Sequence, residues 1–345
     1  MAEKTVDVEA QFNFMFEVGD LKKPINFKIC ARVPVSKINI VHAKAKKISE
    51  NILPEIITKD TADQLRDLWV LYNADTNGML QFVTLQKGYI DKLDSKMLDY
   101  LPDYIYEGMD QRKHDITIRH LLNMRMGIER ESADNYGVYM ELYNSDNWIE
   151  KTIEYPLIFD PGESMRYNTF ITHILSGIIT EATGMSTHEF AFNNLFKPMG
   201  IDIDFWEQDP QGIYFGGNSM HITPREMAAF GYLYLNDGML NGKQIISRDW
   251  VLFSRSPSTD MAHPNEWGSM KNYNYAYLWW LGQFNQYDCF MAIGYGGQFI
   301  FVFPVPDLIV VSTAENNVPP EATTEQEWAI HDLLSRYILP ALGSR

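Results

Sequence analysis

Alternating apolar and polar residues open the chain. Over residues 5 to 18, apolar side chains occupy every second position and most of the others are acidic or amide residues. A second alternating run covers residues 25 to 33, after a turn that contains Gly19 and Pro24. A period of two is the pattern of a half-buried β-strand. The alternating pattern therefore predicts a β-hairpin over residues 1–36.

The middle of the chain has helical spacing. From about residue 63 to residue 234, apolar residues recur at three- and four-residue intervals, interrupted by Pro and Gly. Residues 116–124 form one such segment, entered from Asp115, and residues 172–183 form another that stops at Gly184. The preceding stretch, residues 38–57, could supply two further strands.

Strand patterns return near the C-terminus. Short apolar runs separated by Gly or Pro turns cover residues 275–281, 290–293, 299–303 and 308–313, and residues 325–339 predict an amphipathic helix. This order predicts an α+β fold with one antiparallel sheet built from both termini. We expect residues 37–69 and 270–345 to form the sheet region with its flanking helices, residues 70–269 to be mainly helical, and the hairpin of residues 1–36 to be an extra unit.

Composition narrows the class of protein. The chain has 345 residues, 46% of them hydrophobic, and a formal net charge of -16. That charge repels nucleic acid and anionic lipid surfaces, so neither is an expected partner. No apolar run reaches about 18 residues and no signal-peptide pattern opens the chain, which predicts a cytoplasmic protein unless an export signal has been removed. Cys30 and Cys289 lie far apart, and no metal-ligand spacing occurs, so we expect no metal and no cofactor.

Four segments carry a family resemblance. In chain order they are residues 115–122 (DITIRHLL), residues 161–169 (PGESMRYNT), residues 223–228 with 240–247 (TPREMA and LNGKQIIS), and residues 277–280 with 294–298 (YLWW and GYGGQ). The chain resembles the serine β-lactamase and penicillin-binding-protein superfamily, near the branch of 6-aminohexanoate-dimer hydrolases and related esterases. The likeness extends over residues 37–342 and implies a β-lactamase/transpeptidase-like fold.

The resemblance also implies where the nucleophile should be. The family's Ser-x-x-Lys helix ends in a turn similar to Gly88-Tyr89-Ile90, and counting back without gaps puts Leu71 at the Ser and Ala74 at the Lys. A register two residues later gives Asn73 and Thr76. No Ser in the sequence is followed by Lys three positions later. A Ser hydroxyl attacks poorly without a neighbouring base, so conventional acyl-enzyme chemistry is not expected.

The remaining motif positions define the expected cleft. Tyr167 matches the family tyrosine that helps to move the proton, and Tyr295 takes the Lys/His position of the third motif, so these two are the candidate catalytic residues. The alternative is that Tyr167 is a buried aromatic bonded to the backbone, and that glycines near Tyr295 only allow close backbone approach. We place these further residues at the cleft: Leu71, Asn73, Ala74, Asn168, Gly296, Gly297 and Trp148. Gly296 and Gly297 could keep an oxyanion-type amide donor.

Three functions remain open from the sequence. The first is a hydrolase homologue that binds a small-molecule or peptide-like ligand without an acyl-enzyme. The second is an enzyme of changed chemistry, in which Tyr167 with Tyr295 or a nearby Asn acts as acid and base in cyclisation, isomerisation or non-covalent hydrolysis. The third is a scaffold protein whose hairpin edge pairs with another chain, including a homo-oligomer through the N-terminal hairpin. Spare nucleophiles would be Ser164 and Ser219, although both are expected to be loop hydroxyls.

Overall fold

A large antiparallel sheet organises the part of the protein that the structure describes. The computed structural model describes residues 5–18, 21–34, 80, 83–131, 136–257, 266–314 and 320–341. Their strands are β1 Thr5–Val18, β2 Leu21–Pro34, β3 Met239–Leu240, β4 Lys243–Gln244, β5 Glu266–Trp267, β6 Met270–Ala276, β7 Trp279–Phe284, β8 Tyr287–Gly294, β9 Gln298–Phe303 and β10 Leu308–Ala314. Eight of them form one sheet in the order β1-β2-β10-β9-β8-β7-β6-β5, and β3 pairs with β4 separately. The α+β class is confirmed.

The N-terminal hairpin belongs to this sheet. β1 pairs with β2 from Thr5 opposite Pro34 to Val18 opposite Leu21. β2 pairs in turn with β10, with Cys30 opposite Ile309. The predicted hairpin therefore continues the main sheet at its edge. Alternation predicts a strand but does not identify its neighbour, which depends on long-range pairing. The predicted strands at residues 38–57 lie outside the described residues.

The helical region lies between β2 and β5 in the chain. Among the described residues, the α-helices with both ends defined are α1 Met97–Tyr100, α2 Ile118–Leu122, α3 Tyr136–Tyr143, α4 Trp148–Glu154, α5 Thr169–Thr183, α6 Thr187–Ala191, α7 Lys197–Met199, α8 Pro224–Leu235 and α9 Arg248–Ser254. α5 is the predicted segment and ends at Gly184 in the left-handed conformation, as expected. α2 begins after a capping box at Thr117, two residues beyond the predicted entry at Asp115.

Both faces of the central strands are covered. On β9, Phe299, Phe301 and Phe303 are buried against the C-terminal helix α10 Pro320–Leu333, while Ile300 and Val302 face the helical region. Gly231 of α8 lies so close to this second face that a Cβ there would be 3.0 Å from the Ile300 side chain. Burial on both faces explains why the strand is continuously apolar instead of alternating. After α10 the helix continues through a π-helical turn, Leu334–Ile338, to α11 Leu339–Ala341.

The predicted strand at residues 275–281 is two strands. β6 ends at Ala276, which pairs with Trp279 of β7, so Tyr277 and Leu278 form a two-residue turn. Both have positive φ, 46° and 73°, as in the turns that usually contain Asn-Gly. Tertiary contacts hold this unusual Tyr-Leu turn, since the Tyr277 N–H donates to Asn123 Oδ1 at 3.1 Å and its ring packs on Phe253. The prediction was wrong here because the turn lacks the usual turn residues.

Within the described parts of the chain, no helix combines the length and apolar character needed to cross a bilayer.

Candidate active site

Tyr167 lies where the helical region meets the sheet. Its ring is half-buried and stacks on Trp280 of β7, with ring centroids 5.5 Å apart, and its edge approaches Tyr275 of β6. The Tyr167 carbonyl accepts a 3.0 Å hydrogen bond from the N–H of Glu131. Trp280 also stacks on Tyr273, with an interplanar angle of 8°. The tyrosine therefore sits on an aromatic wall provided by two neighbouring strands.

Asn168 is a helix cap. Its Oδ1 accepts from the Phe170 N–H at 3.0 Å, and its Nδ2 donates to the Glu129 carbonyl at 3.2 Å. The side chain is completely buried. An Asn at this position satisfies an amide at the start of α5 that no helical carbonyl can reach. The structure thus gives Asn168 a structural role in place of the expected open cleft position.

Trp148 belongs to an aromatic cluster inside the helical region. Its indole Nε1 donates to the Tyr143 carbonyl at 2.9 Å, and its ring lies 4.7 Å from that of Phe215 and 5.4 Å from that of His173. The residue is 3% exposed. It is a core residue here, which the sequence could not distinguish from a cleft residue because tryptophan suits both environments.

The Tyr295–Gly297 turn joins β8 to β9 and is held by the C-terminal helix. Tyr295 is 40% exposed. The Gly296 N–H donates to Glu327 Oε1 at 3.2 Å, and the Gly296 carbonyl accepts from Gln326 Nε2 at 2.6 Å. The Gly297 N–H donates within the turn to the Gly294 carbonyl. Both glycine amides already have acceptors, so the expected oxyanion-type donor is not presented by this turn.

Gly297 is required by this packing. Its φ is 93°, and a Cβ there would lie 2.4 Å from Cδ1 of Ile330 on α10. Only glycine combines this backbone conformation with so close an approach. The glycine-rich motif therefore brings the turn against the helix.

Two carboxyl groups near these motifs were not anticipated. Burial raises the pKa of Glu131 to about 7, opposed by a hydrogen bond from the Thr169 hydroxyl. Burial likewise raises the pKa of Glu327 to about 7, opposed by the Gly296 N–H. Neither glutamate stands in a recognisable motif, and both surroundings come from distant parts of the chain. Charged residues are rarely buried, so no signal in the sequence pointed to either.

Ser219 and two buried groups, Cys289 and His173, have local partners or surroundings that explain them. Ser219 donates from Oγ to Asn218 Oδ1 at 2.8 Å. Cys289 is buried, which raises the pKa of its thiol well above the ordinary value. His173 is a buried partner of Asp209, 2.9 Å away. Leu71, Asn73 and Ala74 lie outside the described residues. Among the residues that are described, no three His, Cys, Asp or Glu side chains are grouped to hold a metal ion.

The architecture of the sheet and helices, together with the order of the sequence motifs, indicates the class of protein. A sheet covered by a C-terminal helix on one face and a helical region on the other is the fold of β-lactamase-like proteins. The β-lactamase family model matches residues 85–335. The chain belongs to the β-lactamase family.

The individual relatives of the chain share little sequence identity with it. The chain is similar to the 6-aminohexanoate-dimer hydrolase of Paenarthrobacter ureafaciens, with 23% identity over 220 residues that cover 62% of this chain and 50% of the relative. Among solved structures, it resembles the octameric penicillin-binding protein homologue from Pyrococcus abyssi, with a TM-score of 0.55, 16% identity and coverage of 77% and 66% of the two chains. Simvastatin synthase from Aspergillus terreus gives a TM-score of 0.54 and 17% identity, with coverage of 77% and 84%.

The curated relatives are matched over only part of their length. The chain spans about half of two of them, 55% of an uncharacterised protein from Alkalihalophilus pseudofirmus and 50% of the 6-aminohexanoate-dimer hydrolase. The structural likenesses show a shared fold.

Proposed function

We propose that this β-lactamase family member binds a small-molecule or peptide-like ligand beside Tyr167 and forms no covalent serine intermediate. The observation that carries the proposal is the sequence itself, in which no Ser precedes Lys by three positions. A serine without a neighbouring base is a poor nucleophile. The Ser219 hydroxyl donates to an amide oxygen, which does not take up its proton at neutral pH.

The aromatic wall supports ligand binding. Tyr167 and Trp280 are half-buried and stack on each other at the junction of sheet and helices, and the buried Tyr275 packs edge-on against both. Such surfaces contribute much apolar contact area, while a tyrosine hydroxyl provides a polar group. Pockets lined by aromatic residues with few polar groups are typical of small-molecule sites. A peptide-like ligand would combine apolar contact with hydrogen bonding.

Covalent labelling tests the proposal directly. The protein is incubated with penicillin G and with a fluorophosphonate, and intact mass is measured beside an active serine esterase. We expect the esterase to gain the adduct mass and this protein to gain none. A stoichiometric adduct mapped to a serine, for instance Ser164 or Ser219, would refute the proposal and identify the nucleophile.

A hydrolysis assay provides a second test. We expect chromogenic β-lactams and p-nitrophenyl esters to be hydrolysed no faster by the wild-type protein than by Tyr167→Phe. Tyr337→Phe is the matched control, because Tyr337 is 43% exposed outside this region. The double variant Leu71→Ser with Ala74→Lys is expected to gain weak esterase activity. Wild-type hydrolysis that Tyr167→Phe abolishes and Tyr337→Phe retains would show surviving catalysis.

The second candidate, a non-covalent catalyst, is favoured by one observation. Burial raises the pKa of Glu131 to about 7, and its N–H is bonded to the carbonyl of Tyr167. A carboxyl group with a pKa near the working pH is suited to proton transfer. This candidate predicts a rate that depends on pH near 7 and loses that dependence in Glu131→Gln. If neither the wild-type protein nor Glu131→Gln turns over a substrate, ligand binding without catalysis is the function that explains the result.

A further inference from the structure

A cationic cavity lies between the helical region and the β6–β7 turn. It has a volume of about 380 Å³ and is lined by Arg119, His120, Asn123, Arg125, Gly162, Phe253, Ser256, Pro257 and Tyr277. None of these nine residues is acidic, although the whole chain has 45 acidic and 29 basic residues. None of the candidate active-site residues lines this cavity. Its charge is opposite to that of the chain as a whole.

Arg119 is held in a fixed position at the cavity. Its Nε and one terminal nitrogen donate to the two carboxylate oxygens of Asp94, at 2.7 and 3.0 Å. The other terminal nitrogen donates to the Tyr277 hydroxyl at 2.7 Å. A guanidinium has five N–H donors, so these bonds leave donors on Arg119. Because the Tyr277 oxygen accepts from Arg119, its own hydrogen is available to donate.

His120 adds a donor rather than an acceptor. Its Nδ1 accepts from the Thr117 N–H at 3.3 Å, so the neutral ring carries its hydrogen on Nε2. Nε2 is the ring atom nearest to Gly162. A Cβ at Gly162 would approach Nε2 to 2.9 Å, so an added side chain at this position would press on the histidine ring.

The charges around His120 show the local excess of positive potential. Burial is the largest cause that lowers the pKa of His120, and the charges of Lys96, Arg125 and Arg119 lower it further. Asp94 acts in the opposite direction. Lys96 is paired with Asp115, and Arg119 with Asp94. An anion entering the cavity would be attracted by the same cations.

One wall of the cavity is apolar. Phe253 is 39% exposed and its ring packs on that of Tyr277, with centroids 4.6 Å apart. Pro257 lies beside it on the cavity lining. A compact inorganic anion would leave this wall in contact with water, whereas a ligand with an apolar body would cover it.

We propose that this cavity binds an organic carboxylate, with the carboxylate at Arg119, His120 and Arg125 and the apolar part on Phe253. An arginine keeps its charge and offers five N–H donors, so it can bind a further carboxylate after making other bonds. Arg119 uses three of its donors on Asp94 and Tyr277, and Arg125 Nη1 donates to the Gly162 carbonyl at 2.7 Å. The assignment goes beyond the proposed function, since it requires no residue of the aromatic wall at Tyr167.

The experiment compares two probes of the same shape by titration calorimetry. Benzoate carries the charge, and benzamide is its neutral analogue. We expect benzoate to bind and benzamide to bind at least about tenfold more weakly, since hydrogen bonds to charged groups are worth more than neutral ones. Equal affinities, or no benzoate binding up to about 10 mM, would overturn the proposal. Inorganic phosphate binding more tightly than benzoate would also overturn it.

Two pairs of variants locate the site. Arg125→Gln is expected to weaken benzoate binding about tenfold, while Arg248→Gln, which removes an exposed charge elsewhere, leaves it unchanged. Ser256→Asp places a carboxylate at the exposed rim and should weaken benzoate but not benzamide, whereas the uncharged Ser256→Asn should weaken neither. The second pair leaves the half-buried Arg125 unchanged. It therefore tests the proposal even if Arg125→Gln fails to fold. Unchanged benzoate affinity in Ser256→Asp would place the binding elsewhere and refute the proposal.

Discussion

Glu327→Gln tests the contact between the C-terminal helix and the Tyr295–Gly297 turn. In the folded protein Glu327 is 9% exposed and accepts the Gly296 N–H at 3.2 Å. A glutamine has the same shape and retains an oxygen that can accept this bond. The substitution therefore removes the charge while preserving the contact.

The expected gain in stability follows from the pKa. Burial raises the pKa of Glu327 from 4.5 to about 7, so the folded state binds this proton more tightly than the unfolded chain. The charged Glu327 carboxylate therefore destabilises the folded state. This effect is absent below about pH 4.5, grows as the pH rises towards 7, and is constant above that. The difference between the two pKa values corresponds to at most about 3 kcal/mol. Glu327→Gln should therefore raise the free energy of unfolding at about pH 8 by up to that amount, and by less than about 1 kcal/mol at about pH 5.

Urea denaturation at these two pH values measures the effect. Glu325→Gln is the matched control, because Glu325 is exposed on the same helix and its loss should change stability by less than about 0.5 kcal/mol at either pH. A Glu327→Gln protein that is less stable than wild type at about pH 8 would refute the reasoning. That result would mean that the folded protein favours the charged carboxylate.

Other substitutions address the packing around the motifs. Gly297→Ala should destabilise the protein by about 1 to 3 kcal/mol, measured by urea denaturation, because φ is 93° and the Cβ would displace the terminal Cδ1 of Ile330. An unchanged free energy of unfolding would contradict the left-handed conformation of this glycine. Asn168→Ala should cost about 1 to 3 kcal/mol by losing the α5 cap and the bond to Glu129, and an unchanged melting temperature would argue against the cap. Burial lowers the pKa of His331 to about 4, so its ring NMR signals should stay constant between about pH 8 and about pH 5.5, whereas titration near pH 6.5 would show that the ring is hydrated.

Local pattern was sufficient for much of the secondary structure. Alternation over residues 5 to 18 predicted β1, and the apolar run before Gly184 predicted α5, because both signals depend only on neighbouring residues. The order of four motifs was enough to predict the family, since the family model matches residues 85–335. The missing Ser-x-x-Lys is likewise a property of the sequence alone.

The surroundings of the motif residues could not be predicted in the same way. Asn168 and Trp148 were expected at the cleft, yet their partners place both in the packed interior, and a side chain's burial depends on segments far away in the chain. The turn at Tyr277 has no turn residues and exists because Asn123, 154 positions earlier, accepts its N–H.

The range of each interaction along the chain separates what the sequence determined from what the tertiary structure decided. Sequence periodicity and motif order determined the class of fold and the position of Tyr167 in its motif. Tertiary packing decided that Glu327 takes the Gly296 amide and that Arg119, His120 and Arg125 border one cavity. Hydrogen bonds, desolvation and the charges of distant residues act through space, and their partners are chosen only when the chain has folded.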